Sequence, residues 1–362
     1  MFLNSTQKLY EKIAQGEIDG FTVPAFNIRT LTFEVARALF RAAKKEKAGA
    51  FIVELAQSEM DYTCQSPEEY AKNILRAARA EKFNNPIFLQ ADHFKPNQKK
   101  PENLEKLIPR VIKAGFYNID IDGSSLPLRE NFTQTAKFTA FIRKLEPKNT
   151  EISIGGEVGV IGGENTTMED FREFLEGYTK ELSKYSIQKG LIKVAIQTGT
   201  SHGGVVLPSG ELKKIEADFD TLRELSQEAK KYGLAGVVQH GASTLPERYF
   251  ERFPVVGTLE IHLATIFQNI IYDSDYFPQS LKDKIYFWLK EKFSEKKDPA
   301  DTQEQFFYKF RKYALGIFKE EILKIPQKNV NKICEEIEEK FIFFFRKLKV
   351  RNTVDLIKEI YF

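Results

Sequence analysis

Eight short apolar runs alternate with stretches of helical spacing through most of this chain, and that alternation limits its fold more than any other feature. The runs are Phe21–Asn27, Ala50–Leu55, Pro86–Asp92, Tyr117–Asp122, Glu151–Val158, Leu191–Gln197, Ala235–Gln239 and Val255–Leu263. Between them, Phe33–Lys44, Glu68–Glu81, Glu102–Ala114, Asn131–Leu145, Met168–Ser183 and Phe219–Lys231 repeat apolar residues at the helical period. Strands that read as near-continuous apolar runs suit parallel pairing, with helices over both faces. Eight such strands with helices between them, in roughly 250 residues, is the arithmetic of an α/β fold of the (β/α)8 TIM-barrel type. A doubly wound open sheet is the alternative, because periodicity alone does not show closure.

Beyond Asp273 strand signals stop. The remainder reads as three or four amphipathic helices with aromatics at helical spacing and Lys and Glu between them. Residues 1–275 are therefore expected to be the barrel and residues 276–362 a helical C-terminal extension, packed on the barrel or on a partner subunit. The polar stretch Ser294–Gln303 reads as a hinge. Lys and Arg number 54 and Asp and Glu 51, a net charge of +3, which argues against a nucleic-acid partner needing a concentrated basic face. Cys64 and Cys334 lie far apart, which excludes a disulfide framework and points to a reduced, cytoplasmic setting. The N-terminal MFLNSTQKLYEK lacks the apolar core of a signal peptide. The most apolar short run, Phe341–Phe345, falls far below the ~18 residues a spanning helix needs, so no membrane association is expected.

The chain has only four histidines, His93, His202, His240 and His262, and each falls at or just beyond the C-terminal end of an expected strand. In a barrel that end carries the active site. A lone histidine at a strand end is more often a satisfied structural residue than a ligand; four in register are less readily explained that way. Three imidazoles on rigid strand ends, leaving a coordination position open, form the pattern of a catalytic zinc site, with cobalt, iron or manganese also compatible. Asp92 precedes His93, and strand alternation would aim it away from the metal and toward substrate; otherwise it would orient an imidazole. Gly199, Gly203, Gly204 and Gly241 let backbone amides approach an anion, and Ser243 and Thr244 add hydroxyls, as in phosphate nests on barrel loops. In GGEVGVIGGENTT, Glu157 ends a strand, and Glu164 rides a glycine-rich loop from which a carboxylate can transfer a proton.

Taken together, VPAFN at Val23–Asn27, QADHF around Asp92–His93, DGSSLPLREN at Asp122–Asn131, GEVGVIGG at Gly156–Gly163, GTSHGG at Gly199–Gly204 and QHGAST at Gln239–Thr244 resemble the class II fructose-bisphosphate and tagatose-bisphosphate aldolases. The likeness runs from Val23 to Phe267. It implies that His93, His202 and His240 hold a catalytic zinc and that Glu157 supports an alternative position of the metal. It implies that Asp92 exchanges a proton with the hydroxyl at the bond being cleaved. Gly203, Gly241, Ser243 and Thr265 would hold a substrate phosphate, Asn27 would line the pocket, and Asp122 would be a structural acid near the metal. A monovalent cation and a homo-oligomer, dimer or tetramer, are further implications.

The sequence also departs from the pattern. Glu260 stands where the family has lysine, and His262 where it has an asparagine that touches substrate. Val205 and Val206 replace a lysine after the second zinc histidine, and the family's loop base falls on Asn165, one residue beyond Glu164. The expected activity is metal-dependent cleavage of a phosphorylated ketose in carbohydrate metabolism, with fructose 1,6-bisphosphate, a glycolytic substrate, first and tagatose 1,6-bisphosphate next. A non-catalytic aldolase-like subunit and a zinc-dependent hydrolase are the competing readings.

Overall fold

The computed structural model describes residues 3–96, 102–200, 207 and 216–362. Its strands are β1 (Leu3–Asn4), β2 (Val23–Asn27), β3 (Ile52–Ala56), β4 (Ile87–Phe94), β5 (Asn118–Ile121), β6 (Ser153–Val158), β7 (Lys193–Ile196), β8 (Gly236–Gln239) and β9 (Glu260–Leu263). From β2 to β9 each strand pairs in parallel with the next. β9 also pairs with β2, with His262 opposite Ala25, so the ring closes into a (β/α)8 barrel and the open-sheet alternative is excluded. The helices between strands follow the expected segments closely, as in Thr32–Glu46, Pro67–Ala80, Met168–Ser183 and Phe219–Lys231.

Two details differ from the sequence reading. The last barrel strand begins at Glu260 and not at Val255, because Phe253–Val256 forms a helical turn. Pro254 suits the first turn of that helix, and Gly257 ends it at φ 78°, a left-handed conformation that glycine adopts without strain. The N-terminal segment also has a structural part. β1 pairs with Ile87 and Phe88 at the start of β4, and the helix Gln7–Ala14 follows it beneath the barrel floor. There Thr6 donates its N–H to Asn118 Oδ1 at 2.8 Å, and the buried Tyr10 donates its hydroxyl to Glu260.

Inside the barrel the chain is polar. Glu54 from β3, Gln90 from β4, Asp120 from β5, Lys193 from β7 and Glu260 from β9 are all buried and meet in one network. Lys193 Nζ lies 2.6 Å from Glu260, 3.0 Å from Asp120 and 2.7 Å from Gln90 Oε1, while Gln90 Nε2 donates to Glu54 and Glu260, both at 2.9 Å. Apolar side chains of the same strands fill the layer between strands and helices, which is why charged barrel positions hide inside apolar runs.

The helices after residue 276 lie on the barrel. Gln327–Lys347 packs along Thr32–Glu46 and against Thr265–Asp273. Phe341, Phe344 and Phe345 are fully buried, with the Phe26 ring 4.9 Å from Phe341 and 5.8 Å from Phe345. Burial of each ring contributes about 1.5–3 kcal/mol. Arg41 with Glu338 at 2.6 Å and Arg346 with Glu46 at 2.7 Å flank the aromatic seam.

Candidate active site

The site begins with a break in the alternation of β4. His93 has φ 53°, a left-handed conformation uncommon outside glycine, and the register of β4 against β5 shifts between Ala91 and Phe94. A regular strand would send Asp92 and His93 to opposite faces. The irregularity turns both toward the C-terminal mouth, so the expectation that Asp92 points away from the metal ligands is corrected. Asp92 Oδ2 lies 3.7 Å from His93 Nε2. The candidate ligand atoms of Asp92, His93, Glu157 and His240 all lie within 4.8 Å of one another.

Each of the four comes from the upper end of a strand. Glu157 is on β6, and its Oε1 lies 2.9 Å from His93 Nδ1. His240 follows β8, with Nδ1 3.7 Å from Glu157 Oε2 and its ring 4.5 Å from that of His93. Asp122, just past β5, brings Oδ2 within 2.9 Å of His93 Nδ1, and Lys95 caps the same carboxylate at 3.1 Å. Asp122 Oδ1 accepts from the N–H and hydroxyl of Ser124. A carboxylate fixed on Nδ1 sets the imidazole tautomer and leaves Nε2 to act.

Burial and neighbouring charge perturb these groups strongly. Burial, with Asp122 adding to it, pushes the Glu157 carboxyl up to about 8. Burial opposes protonation of His93, but Asp92 and Glu157 outweigh it and raise the imidazole well above its ordinary value. Asp122 is held below the usual carboxylate range: burial works against its charge, and His93 and Lys95 overcome that. Protons and a divalent cation would compete for this donor set.

His262 links the mouth to the interior. Its ring lies 4.2 Å from that of His240. Nδ1 lies 3.3 Å from Glu54 Oε2 and 3.4 Å from Asp92 Oδ1, and Nε2 lies 2.7 Å from Glu260 Oε1. The exchange at Glu260 has a local answer, because the cation it meets is Lys193 of β7.

Above the cluster lies a cavity of about 770 Å³. Asn27, Gly241, Ser243, His262 and Thr265 line it together with Asp92 and His93. Gly241 has φ 69°, Ser243 Oγ accepts from Ala264 N at 2.8 Å, and Asn27 Nδ2 donates to Glu59 Oε2 at 3.0 Å. His202 and Gly203, with Gly204, Val205 and Val206, lie outside the described residues. Glu164 is exposed in the turn after β6 and is not in the four-residue cluster, while Asn165 Nδ2 donates to Asp218 at 3.0 Å.

Sequence reasoning missed several residues. Glu54 and Lys193 stood in plain view as charges within FIVELA and LIKVAI, a signal that they are paired or functional. Arg29, two residues beyond VPAFN, reaches Glu59 at 2.6 Å and Thr265 at 3.3 Å. Tyr308 and Lys312 of the C-terminal region also line the cavity, and no sequence signal tied them to it.

A divalent cation fits what is present. Buried carboxylates and the buried His240 meet the partly buried His93 at the mouth, their ligand atoms already converge, and the His93 imidazole is held by a carboxylate behind it. Among solved structures, the chain is similar to the YdjI aldolase of Escherichia coli K12, at 13% identity over 97% of this chain and 99% of that one, with a TM-score of 0.60. It is also similar to the fructuronate-tagaturonate epimerase UxaE of Cohnella laeviribosi, at 11% identity over 91% and 81%, with a TM-score of 0.66. At these identities the two likenesses speak for the barrel alone. In sequence it is 25% identical over 263 residues to a fructose-bisphosphate aldolase of Treponema pallidum, covering 68% of this chain and 71% of that protein. The family model for class-II fructose-bisphosphate aldolase matches residues 4–338, which takes in the barrel, the cluster and most of the helices beyond. With closed barrel, convergent donors and a family match over nearly the whole chain in agreement, this chain belongs to the class-II fructose-bisphosphate aldolase family.

Proposed function

We propose that this protein is a metal-dependent aldolase that cleaves and forms the carbon–carbon bond beside the ketone of a phosphorylated ketose, with fructose 1,6-bisphosphate as the first substrate to test. The observation that carries the reading is the convergence of the buried Asp92, Glu157 and His240 with the partly buried His93 beneath a cavity lined by Gly241, Ser243 and Thr265. His93 and His240, with His202, would hold zinc, and Glu157 would offer it an alternative position. When bound, the cation polarises the ketone and stabilises the negative charge that gathers there as the bond breaks.

The chain's own residues supply the rest. Asp92, as a carboxylate, takes the proton from the hydroxyl on the carbon that leaves as aldehyde. The electron pair of the breaking bond stays with the ketone half, which must then gain a proton. Glu164 supplies it when its turn folds down over the mouth. The amide of Gly241 and the hydroxyls of Ser243 and Thr265 hold the phosphate and so fix the reacting carbons. Asp122 keeps His93 in one tautomer.

The test is a coupled assay for triose phosphate release from fructose and tagatose 1,6-bisphosphates, on zinc-loaded and chelator-treated protein. Release that disappears on chelation and returns with zinc supports the reading and names the better substrate. Zinc bound in full with no release from either ketose refutes the substrate class. Absence of bound metal favours a non-catalytic subunit.

A further inference from the structure

One nitrogen of His262 has no part in the aldolase reading, and Gln90 decides what it can do. Gln90 Oε1 accepts from Lys193 Nζ at 2.7 Å, and Gln90 Nε2 donates to Glu54 Oε2 and Glu260 Oε1, both at 2.9 Å. An amide nitrogen so oriented has no lone pair for His262 Nε2, 3.2 Å away, so that ring nitrogen keeps its proton and donates it to Glu260 Oε1 at 2.7 Å. In the neutral ring Nδ1 then carries the lone pair. Nδ1 is buried, makes no hydrogen bond among the described residues, and faces Glu54 Oε2 at 3.3 Å and Asp92 Oδ1 at 3.4 Å. Glu54 is fully buried, its Oε1 makes no hydrogen bond either, and it pairs with no lysine or arginine among the described residues. Lys193, the cation of the same interior, is held by Glu260 and Asp120. Three donors from β3, β4 and β9 therefore point at one gap, and their ligand atoms all lie within 4.8 Å of one another. Donors ~2.1 Å from one tetrahedral ion lie about 3.4 Å apart, which is the spacing around Nδ1.

We propose that Glu54, Asp92 and His262 bind a second divalent cation, beside the one held by His93, His202 and His240. One imidazole with two carboxylates makes zinc the first ion to test. Asp92 joins the two sites: Oδ2 faces His93 Nε2 at 3.7 Å and Oδ1 faces His262, whose ring lies 4.2 Å from that of His240. Asp92 and His262 both line the cavity, so an oxygen of a bound substrate can complete the coordination. A cation on Oδ1 also keeps Asp92 ionised, the state in which it accepts a proton. Paired cations about 3.5–4 Å apart clamp two oxygens of a reacting group. The inference goes beyond the aldolase reading, which uses the first ion alone.

The test counts metal on the full chain after chelator treatment and dialysis against zinc. The native chain should hold two ions, and His262→Asn and Glu54→Gln should each hold one, with circular dichroism showing that the barrel is intact. Either variant decides the matter if the other fails to fold. His202→Ala should lose one ion and keep the other. Loaded with manganese, the native chain should give the electron paramagnetic resonance spectrum of a coupled pair, and His262→Asn that of an isolated ion. One ion per native chain at saturating zinc overturns the proposal and leaves a proton as the charge between the carboxylates. A second ion that survives both substitutions, or that is uncoupled from the first, overturns it as well. A chain with two coupled ions that cleaves neither ketose keeps the second site and loses the aldolase reading; a chain with one ion that cleaves either does the reverse.

Discussion

Lys193→Met should be the most damaging single change inside the barrel, and its damage should depend on pH. Lys193 is 1% exposed and is the cation shared by Glu260 at 2.6 Å and Asp120 at 3.0 Å. Removing one partner of a buried ion pair costs about 3–5 kcal/mol, because the remaining charge is left uncompensated. Domains of ordinary stability hold about 5–15 kcal/mol in total, so the variant should be marginal at neutral pH. The sign of the pH effect follows from Asp120, which burial pushes up to about 6 even with Lys193 beside it. Without that cation its carboxyl rises further, while in the unfolded chain it stays near 4. The folded variant therefore binds more protons than the unfolded chain across that interval. Its stability falls as pH rises, by about 1.4 kcal/mol per unit for each carboxyl so affected. Urea unfolding followed by circular dichroism at pH 5 and pH 8 reads this directly. The gap between native and variant chains should be smaller at pH 5, and Lys193→Met/Glu260→Gln should recover part of the loss. A variant within about 1 kcal/mol of the native chain at both pH values would refute the assignment of Lys193 as the charge that holds the barrel interior together.

Other changes separate the parts of the site. Asp122→Asn weakens the hold on His93 Nδ1, and zinc affinity, read by competition with a chromophoric chelator, should fall about 10–100-fold while the barrel stays folded. Unchanged affinity would mean that Glu157 alone orients the ring. Asp92→Asn should keep the metal held by the histidines and lose about 10²–10⁴-fold in cleavage rate, and loss of that zinc instead would make Asp92 its ligand. Phe341→Ala, between Phe26 and Phe267, should lower unfolding free energy by about 3–5 kcal/mol in a single transition. A separate early transition would show that the helical region unfolds apart from the barrel.

The sequence by itself determined the alternation of strands and helices and which strand ends to look at, while closure into a barrel was decided only by the pairing of β9 with β2. Strand and helix periods differ, so β2 to β9 and the helices between them announced themselves. Histidines at strand ends marked the mouth, because a residue's place in a strand is a local property that alternation preserves. What escaped was of three physical kinds. The first was backbone geometry: nothing in QADHF says that His93 is left-handed, and that one torsion brings Asp92 into the cluster. The second was pairing between strands distant in sequence. Glu260 looks like a lost lysine until closure of the ring brings Lys193 to it, 67 residues away. The third was the docking of the C-terminal helices. Their aromatic spacing gave their type, but only the packing of Phe341 and Phe345 on Phe26 sets their position. That position brings Lys312 to the cavity, since contact between surfaces depends on shape and charge in three dimensions, which no local period encodes.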